Sequence, residues 1–82
     1  MGKELGEYLK KCRIRAKKNQ GQVAKELGYE SAQYISNIER GVGYPPLESA
    51  RKWFDAMGAS YSKGVNIWVR EFKQQMFEAM DE

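Results

Sequence analysis

Residues 20–41 of the chain read QGQVAKELGYESAQYISNIERG and contain two short helical patterns, each followed by a glycine. Apolar residues recur in both patterns at three- and four-residue steps, as they do along the buried side of an amphipathic helix. Gly28 and Gly41 mark the two ends, because glycine readily adopts the left-handed conformation that closes many helices. A small side chain at Ala24 lets the helices cross closely. The stretch therefore predicts two short helices joined by a sharp turn.

The second of these helices is predicted to begin at Ser31 and to pack on the first through Ile35 and Ile38. Its outward side carries only small or amide residues, namely Ser31, Ala32, Gln33, Ser36 and Asn37. Glutamine and asparagine can pair bidentately with adenine, and serine can donate or accept a hydrogen bond at a base edge. This arrangement is typical of the helix-turn-helix, whose second helix enters the DNA major groove. We therefore predict that these five residues read base edges in double-stranded DNA.

One further helix is predicted before this unit and another directly after it. The helix before it has an apolar stripe formed by Leu5, Tyr8, Leu9, Cys12 and Ala16. After it, Pro46 suits the first turn of a helix that ends before Gly58. The apolar face of that later helix is predicted to consist of Leu47, Ala50, Trp53, Phe54 and Met57.

The last segment, residues 61–82, has a start at which Ser60 or Ser62 could serve as a cap. Its apolar residues recur at helical steps and are Val65, Trp68, Val69, Phe72, Met76, Ala79 and Met80. The alternation of Val65, Ile67 and Val69 is also compatible with a strand. We expect a dimer interface at Val65, Trp68, Val69, Phe72 and Met76, with packing inside the monomer as the alternative.

These patterns predict an all-α fold of five helices, in which the last helix is apolar along one side. We expect residues 1–60 to form the DNA-binding domain, with the helix-turn-helix at residues 20–41. Residues 61–82 are expected to form a C-terminal dimerisation helix.

The composition excludes several classes of function. The chain has 82 residues, a mass of 9.5 kDa, one Cys and no His. A Cys/His zinc site, a disulfide within the chain and catalysis by a nucleophile–His pair are therefore excluded. The longest apolar run, residues 67–69, is far shorter than a membrane span, and the N-terminus lacks the apolar region of a signal peptide. We expect a cytoplasmic protein that is not an enzyme, has no metal or cofactor and does not enter a membrane.

The formal net charge of +3 is distributed unevenly. Residues 1–40 carry nine basic and five acidic side chains, whereas residues 41–82 carry five basic and six acidic ones. Residues 10–18 contain six basic residues and no acidic residue. Such a cluster attracts an anionic partner locally, although charge runs are usually just solvated helix faces. Lys17 and Lys18, just before the second helix, are the candidates for phosphate contact.

Taken together, these elements resemble the lambda repressor/Cro-like (XRE) helix-turn-helix family. The resemblance covers about residues 3–60 and includes the order and the spacing of the elements. The matching residues are Leu9, Arg13, Gln20, Val23, Ala24, Leu27, Gly28, Ile35, Ser36, Ile38, Glu39, Arg40, Gly41, Pro46 and Leu47. The resemblance implies a DNA-binding domain of four or five helices that usually binds two-fold operators as a dimer.

The resemblance also implies roles for individual residues. Ala32, Gln33 and Asn37 match base-reading positions, although Ala32 could touch only a thymine methyl group. Arg13 and Glu39 match a buried ion pair that joins the first helix to the third.

Gln20 and Arg40 match positions that contact the DNA backbone. The full set of expected backbone contacts is Lys17, Lys18, Asn19, Gln20, Lys25, Tyr34 and Arg40. For Tyr34, a place in the core is an equal alternative. The turn through Tyr29 is one residue longer than the common form of the family, which leaves the register of Ser31 and Ala32 open.

The leading functional hypothesis is a prokaryotic or phage transcription regulator. In this hypothesis two copies of the chain bind a palindromic operator and repress transcription by occlusion. The alternative is a protein-interaction module that keeps the fold, such as an antitoxin partner, and grips another protein through Trp53, Trp68 and Phe72.

Overall fold

The computed structural model describes residues 2–80, so the predicted domain ends at residues 1 and 82 lie outside the described residues. Within this range the regular structure is helical throughout, which confirms the predicted all-α class. The helices are α1 (Lys3–Arg15), α2 (Gln20–Glu26), α3 (Gln33–Glu39), a 3₁₀ turn (Leu47–Ser49), α4 (Ala50–Ala56) and α5 (Tyr61–Met80). The last segment is thus a helix, and the strand alternative is wrong for the described residues.

The ends of the helices follow from local sequence. Asn19 caps α2 through a reciprocal pair of hydrogen bonds, in which its side chain accepts from the Gln22 backbone and the Gln22 side chain accepts from the Asn19 backbone. Gly28 and Gly41 follow α2 and α3 with φ angles of 83° and 80°, as predicted for glycine stops. Before α5, the Ser60 hydroxyl accepts a hydrogen bond from the Lys63 backbone at 3.3 Å, so Ser60 rather than Ser62 is the cap.

The core contains side chains from all five helices. Trp53 and Phe54 of α4 are completely buried at its centre, and α1, α2 and α3 cover them with leucine, isoleucine and valine. α5 contributes Ile67 and half-buried Val65 and Trp68 from its first half. The second half of α5 contributes little to this core and remains largely exposed.

Two helix starts differ from the sequence prediction. Ser31 was expected to open α3, but α3 begins at Gln33 because the longer turn extends through Ala32. Leu47 was expected on the buried face of α4, but its side chain is 81% exposed. Leu47 belongs to a 3₁₀ turn, whose three-residue repeat does not continue the stripe of the α-helix that follows.

Candidate nucleic-acid interface

The outward side of α3 carries three polar residues at steps of four and three. The Gln33 side-chain amide donates to the Asn37 side-chain oxygen at 2.9 Å, and the Arg40 guanidinium donates to the same oxygen. Gln33 and Arg40 are exposed, and Asn37 is half-buried. The three side chains therefore form one polar row, and bonds within it can be exchanged for bonds to base edges.

The structure brings only part of the predicted base-reading set onto this row. Gln33 and Asn37 lie on it, with Ser36 half-buried on the same helix. Ser31 and Ala32 instead lie in the turn before α3, where the Ser31 hydroxyl is 3.4 Å from the Gln33 backbone nitrogen. Ala32 is half-buried against the core, and Ser31 is exposed at the entrance to the helix.

A buried ion pair holds the opposite side of α3. The Arg13 side chain on α1 donates to both carboxylate oxygens of Glu39, at 2.6 Å and 3.0 Å. Arg13 also donates to the backbone oxygen of Lys18 at 2.9 Å, which ties the segment before α2 to the same pair. Bidentate geometry and these additional bonds are what a buried pair requires to offset the loss of hydration. The pair therefore fixes the end of α3 against α1.

Gln20, the first residue of α2, joins the same network. Its side-chain amide donates to a Glu39 oxygen at 3.0 Å. The start of α2 and the end of α3 are thereby held together by side chains from three elements. Within residues 2–80 no buried side-chain nitrogen or oxygen lacks a hydrogen-bond partner.

The basic residues near this surface fall into two groups. Lys17, Lys25 and Arg40 are exposed. Lys18 is half-buried, and its ammonium group donates to Glu26 at 3.0 Å and to the Ala56 backbone oxygen at 3.1 Å. Because these bonds engage its charge, the structure gives Lys18 a structural contact between α2 and α4 in addition to its predicted place near DNA.

Lys17 has an unusual backbone conformation. Its φ angle is 60°, and it is the only non-glycine residue with a positive φ among residues 2–80. It follows the last residues of α1 at a position where glycine is usual, and a side chain there costs about 1 kcal/mol. A residue that keeps a strained conformation in an exposed turn beside the predicted interface is a candidate for a functional contact.

The family assignment agrees with this geometry. The family model described as helix-turn-helix matches residues 9–63 of the chain. The chain belongs to the lambda repressor/Cro-like helix-turn-helix family. DNA-binding regulation is the activity of this family, so the chain is a DNA-binding helix-turn-helix regulator. No significant match was found among curated proteins or solved structures.

In this helix-turn-helix protein, Tyr34 packs at the edge of the core and is also partly exposed. Its ring packs against Tyr29 and Trp53, with ring centres 5.2 Å and 5.4 Å apart, and 38% of the residue is exposed. The Trp53 indole donates to the Tyr29 hydroxyl at 3.3 Å. Tyr34 is thus part of an aromatic cluster at the edge of the core and is also accessible at the surface.

The helix-turn-helix protein also has an exposed apolar surface on α5, which we call the α5 stripe. It consists of Val65, Val69, Phe72 and Met76, and the last three are each about half exposed. Beside the stripe lies an apolar groove of about 390 Å³. The groove is lined by Leu47, Ala50, Tyr61, Val65, Trp68, Val69 and Phe72.

Trp68 differs from the other residues predicted for the dimer interface. Its ring stacks on Tyr44 with centres 5.2 Å apart and an angle of 13°, so Trp68 forms the wall between the core and the groove. Burial and the nearby Glu71 carboxylate raise the pKa of the Tyr44 hydroxyl, which accepts a hydrogen bond from Gln75 at 2.9 Å. Tyr44 therefore connects the loop after α3 to α5.

Several exposed apolar residues were not assigned to the interface by sequence reasoning. Leu47 contributes to the groove, and Phe77 and Met80 are 65% and 75% exposed near the end of α5. Phe77 lies off the three- and four-residue steps of the stripe, so periodicity alone did not select it. Trp53, proposed as a partner-gripping residue in the alternative hypothesis, is completely buried and unavailable for that role.

The described residues also bear on membrane association. No helix within residues 2–80 is both long enough and apolar enough to cross a membrane.

Proposed function

We propose that the chain is a sequence-specific transcription repressor, in which each of two copies reads one half-site of a palindromic operator through α3. The observation that carries this proposal is the polar row of Gln33, Asn37 and Arg40 on α3. The other side of α3 is fixed by core packing and by the buried ion pair with α1. The three side chains of the row form hydrogen bonds to one another, whereas the amide groups of Gln33 and Asn37 suit adenine edges in the major groove.

Contacts to the DNA backbone complete the proposed interface. Lys17, Lys25 and Arg40 are exposed cations beside α2 and α3 and are the strongest candidates for phosphate contact. Asn19, Gln20 and the exposed edge of Tyr34 are proposed to supply uncharged contacts to the same strand. We assign Lys18 a smaller share, since its ammonium group already contacts Glu26 and Ala56. Ser31 and Ala32, at the entrance to α3, are proposed to contact the outermost base of the half-site.

The dimer is proposed to form through the α5 stripe and its groove. A polar rim and a continuous apolar centre are typical of a protein interface rather than of a solvated helix. We propose that the α5 stripe of a second copy covers this surface, because a two-fold operator requires two identical DNA-binding domains. A stripe on a 20-residue helix can pack against the same stripe of another copy. Occlusion of a promoter by this dimer would require no further domain.

Selection of bound sites from random duplex DNA tests the proposal. We expect a palindromic consensus with half-site centres about one helical turn apart. The Gln33→Ala variant should lose preference at one position of each half-site, at a cost of about 1–3 kcal/mol for the best sequence and almost none for others. Gln74→Ala, an exposed glutamine on α5, is the matched control and should bind as the wild type does.

The salt dependence separates base reading from phosphate contact. Lys17→Ala should weaken binding to every sequence alike and reduce the slope of log affinity against log salt by about 1. Equal affinity of the wild type for every duplex, unchanged by Gln33→Ala, would contradict the proposal.

The α5 stripe also supports a second candidate function, an interaction module for another protein. Sedimentation of the isolated chain distinguishes the two. A stable dimer favours the repressor, whereas a monomer with an open stripe favours a different partner.

A further inference from the structure

One face of α5 contacts the rest of the domain, and the neighbouring face carries the α5 stripe. Trp68, Glu71 and Gln75 lie at helical steps on the side that contacts the rest of the domain. The α5 stripe lies on the neighbouring face, where Val69, Phe72 and Met76 are each about half exposed. The contacts of the inner side therefore decide how the stripe is oriented relative to α3.

The strongest of these contacts is made by Glu71 with the first turn of α1. One carboxylate oxygen accepts from the Leu5 backbone at 2.9 Å, and the other accepts from the Glu4 backbone at 3.2 Å. The residue at the local capping position, Gly2, has no side chain that could do this. A carboxylate at a helix start also interacts favourably with the helix dipole. Glu71 thus caps α1 from a distance of 66 residues along the chain.

The first turn of α1 in turn contacts the end of α3 through backbone atoms. A Cβ atom at Gly6 would overlap the carbonyl oxygen of Ile38 and lie only 2.7 Å from that of Glu39. A Cβ atom at Gly41 would lie 2.9 Å from the Cα atom of Lys3. The glycines thus let the backbones of α1 and α3 approach closely, so we expect a shift of the α1 start to be transmitted to the end of α3.

A second connection runs through the loop after α3. Gln75 donates to the Tyr44 hydroxyl at 2.9 Å, and the Tyr44 ring stacks on Trp68. Gly2 lies directly against the Tyr44 ring, since a Cβ atom there would be 2.8 Å from a ring carbon. The two connections from α5 therefore meet at the start of α1 and beside the end of α3.

We propose that Glu71 is a positioning residue that fixes the orientation of α3 relative to the α5 stripe and thereby sets the half-site spacing that the protein accepts. This inference rests on the proposed function, in which the stripe joins two copies. One additional base pair between half-sites shifts the second site by about 3.4 Å and rotates it by about 35°. A dimer with a rigid path from stripe to α3 cannot follow that shift, whereas a dimer with a loosened α1 can.

The test compares binding to the selected operator and to versions lengthened or shortened by one base pair. The wild type should prefer the selected spacing by roughly tenfold or more, the scale of a mismatched position. Glu71→Gln should lower this preference to about two- to threefold, because the neutral amide leaves at least one α1 amide group uncapped. Affinity for an isolated half-site should stay within about twofold of the wild type, since Glu71 does not contact α3.

Two controls separate positioning from charge and from stability. Glu78→Gln removes the same charge from the same helix, but Glu78 is exposed and has no bond to α1, so its spacing preference should match the wild type. Ile67→Val removes one core methylene group from α5 but leaves Glu71 and its two hydrogen bonds to α1 in place, so it reports what a loss of stability alone does. If Ile67→Val relaxes spacing as much as Glu71→Gln does, the positioning role is overturned.

Hydrogen exchange of the wild type provides a measurement that does not depend on the folding of a variant. The Glu4 and Leu5 amides should exchange more slowly on the operator with the selected spacing than on the altered ones, because a wrong spacing strains the Glu71 cap. Equal exchange on all three operators overturns the inference. A wild type that neither dimerises nor prefers any sequence overturns the proposed function itself, whereas spacing preference that survives in Glu71→Gln overturns only the role of Glu71.

Discussion

α3 and α5 differ in the kind of side chain that each leaves exposed. α3 buries its apolar residues, Ile35 and Ile38, and leaves a polar row exposed. α5 contacts the domain through apolar Ile67 in its first half and through polar Glu71 and Gln75 in its second half, and it leaves the apolar α5 stripe exposed. Both helices therefore have one satisfied side and one side without a partner in the described chain.

The difference indicates what kind of partner each free side suits. A polar row loses hydration when it is covered, so it suits a partner whose edges replace those hydrogen bonds, as base pairs do. Covering an apolar stripe with other apolar groups lowers the free energy, so the stripe suits a protein partner. Four substitutions test this comparison, in order of decreasing expected effect.

The largest effect is expected where α3 is anchored. Glu39→Ala leaves the Arg13 charge buried without a carboxylate and should lower the free energy of unfolding by about 3–5 kcal/mol, as measured in urea. DNA binding should fall with it, because α3 loses its fixed end. Glu26→Ala removes the carboxylate of the more exposed pair with Lys18 and should cost less than about 1 kcal/mol. Similar costs for the two variants would show that the buried network does not hold α3.

The next effect concerns the α5 stripe. Phe72→Glu should weaken dimerisation about 100-fold, or about 2.7 kcal/mol, because a carboxylate in an apolar contact must lose its hydration. The folded monomer should be almost unaffected, since Phe72 is 55% exposed. Gln74→Glu places the same charge on another side of the same helix and is the control in sedimentation experiments. A Phe72→Glu dimer as tight as the wild type would remove the stripe from the interface.

A smaller effect, with opposite signs for stability and binding, is expected at Lys17. Lys17→Gly relieves the positive φ angle and should raise the free energy of unfolding by up to about 1 kcal/mol. It also removes a proposed phosphate contact and should weaken binding to all DNA sequences. Lys17→Ala should weaken DNA binding equally but without the gain in stability, which thermal unfolding and gel-shift titrations can check together. A gain in both properties would exclude Lys17 from the interface.

The smallest effect is expected at Tyr44, which lies in the loop after α3 and whose ring stacks on Trp68 of α5. Burial and the Glu71 charge raise the pKa of its hydroxyl, so the folded state favours the neutral form. The corresponding stability is complete below the ordinary tyrosine pKa of about 10 and is lost as the pH rises through the raised value. As the pH rises from about 9 to 11, the free energy of unfolding of Tyr44→Phe, measured in urea, should therefore fall less than that of the wild type. Tyr61→Phe, at the exposed start of α5, is the control, and an equal pH dependence in wild type and Tyr44→Phe would contradict the prediction.

Much of the fold was predictable because its signals are local. The glycine stops at Gly28 and Gly41 depend on backbone groups a few residues away, and both occur where the sequence indicates. Leu47 and Ser31 show where local reasoning failed. Both lie beside helix starts, where a 3₁₀ turn and a lengthened loop change the repeat that side chains follow.

The site was predictable in part. The family resemblance placed Gln33 and Asn37 correctly on one helix, but the sequence could not show that Lys18 also reaches the end of α4, because that bond joins residues 38 positions apart. The aromatic residues were ambiguous for the same reason. Trp53 and Trp68 have equal apolar surface, yet one is the centre of the core and the other forms the wall of a groove.

The sequence by itself determined the five helices and most of their apolar sides, because each rests on spacing within a few helical turns. It also determined the family, because the order and spacing of these elements along the chain are readable without their packing. Only the tertiary structure decided how those helices constrain one another. The Glu71 cap on α1 and the contact of Gly6 with the end of α3 join distant parts of the chain, and their geometry depends on how all the helices pack. Hydrogen bonds and close backbone contacts require positions defined to within an ångström, and no periodicity in the sequence specifies them.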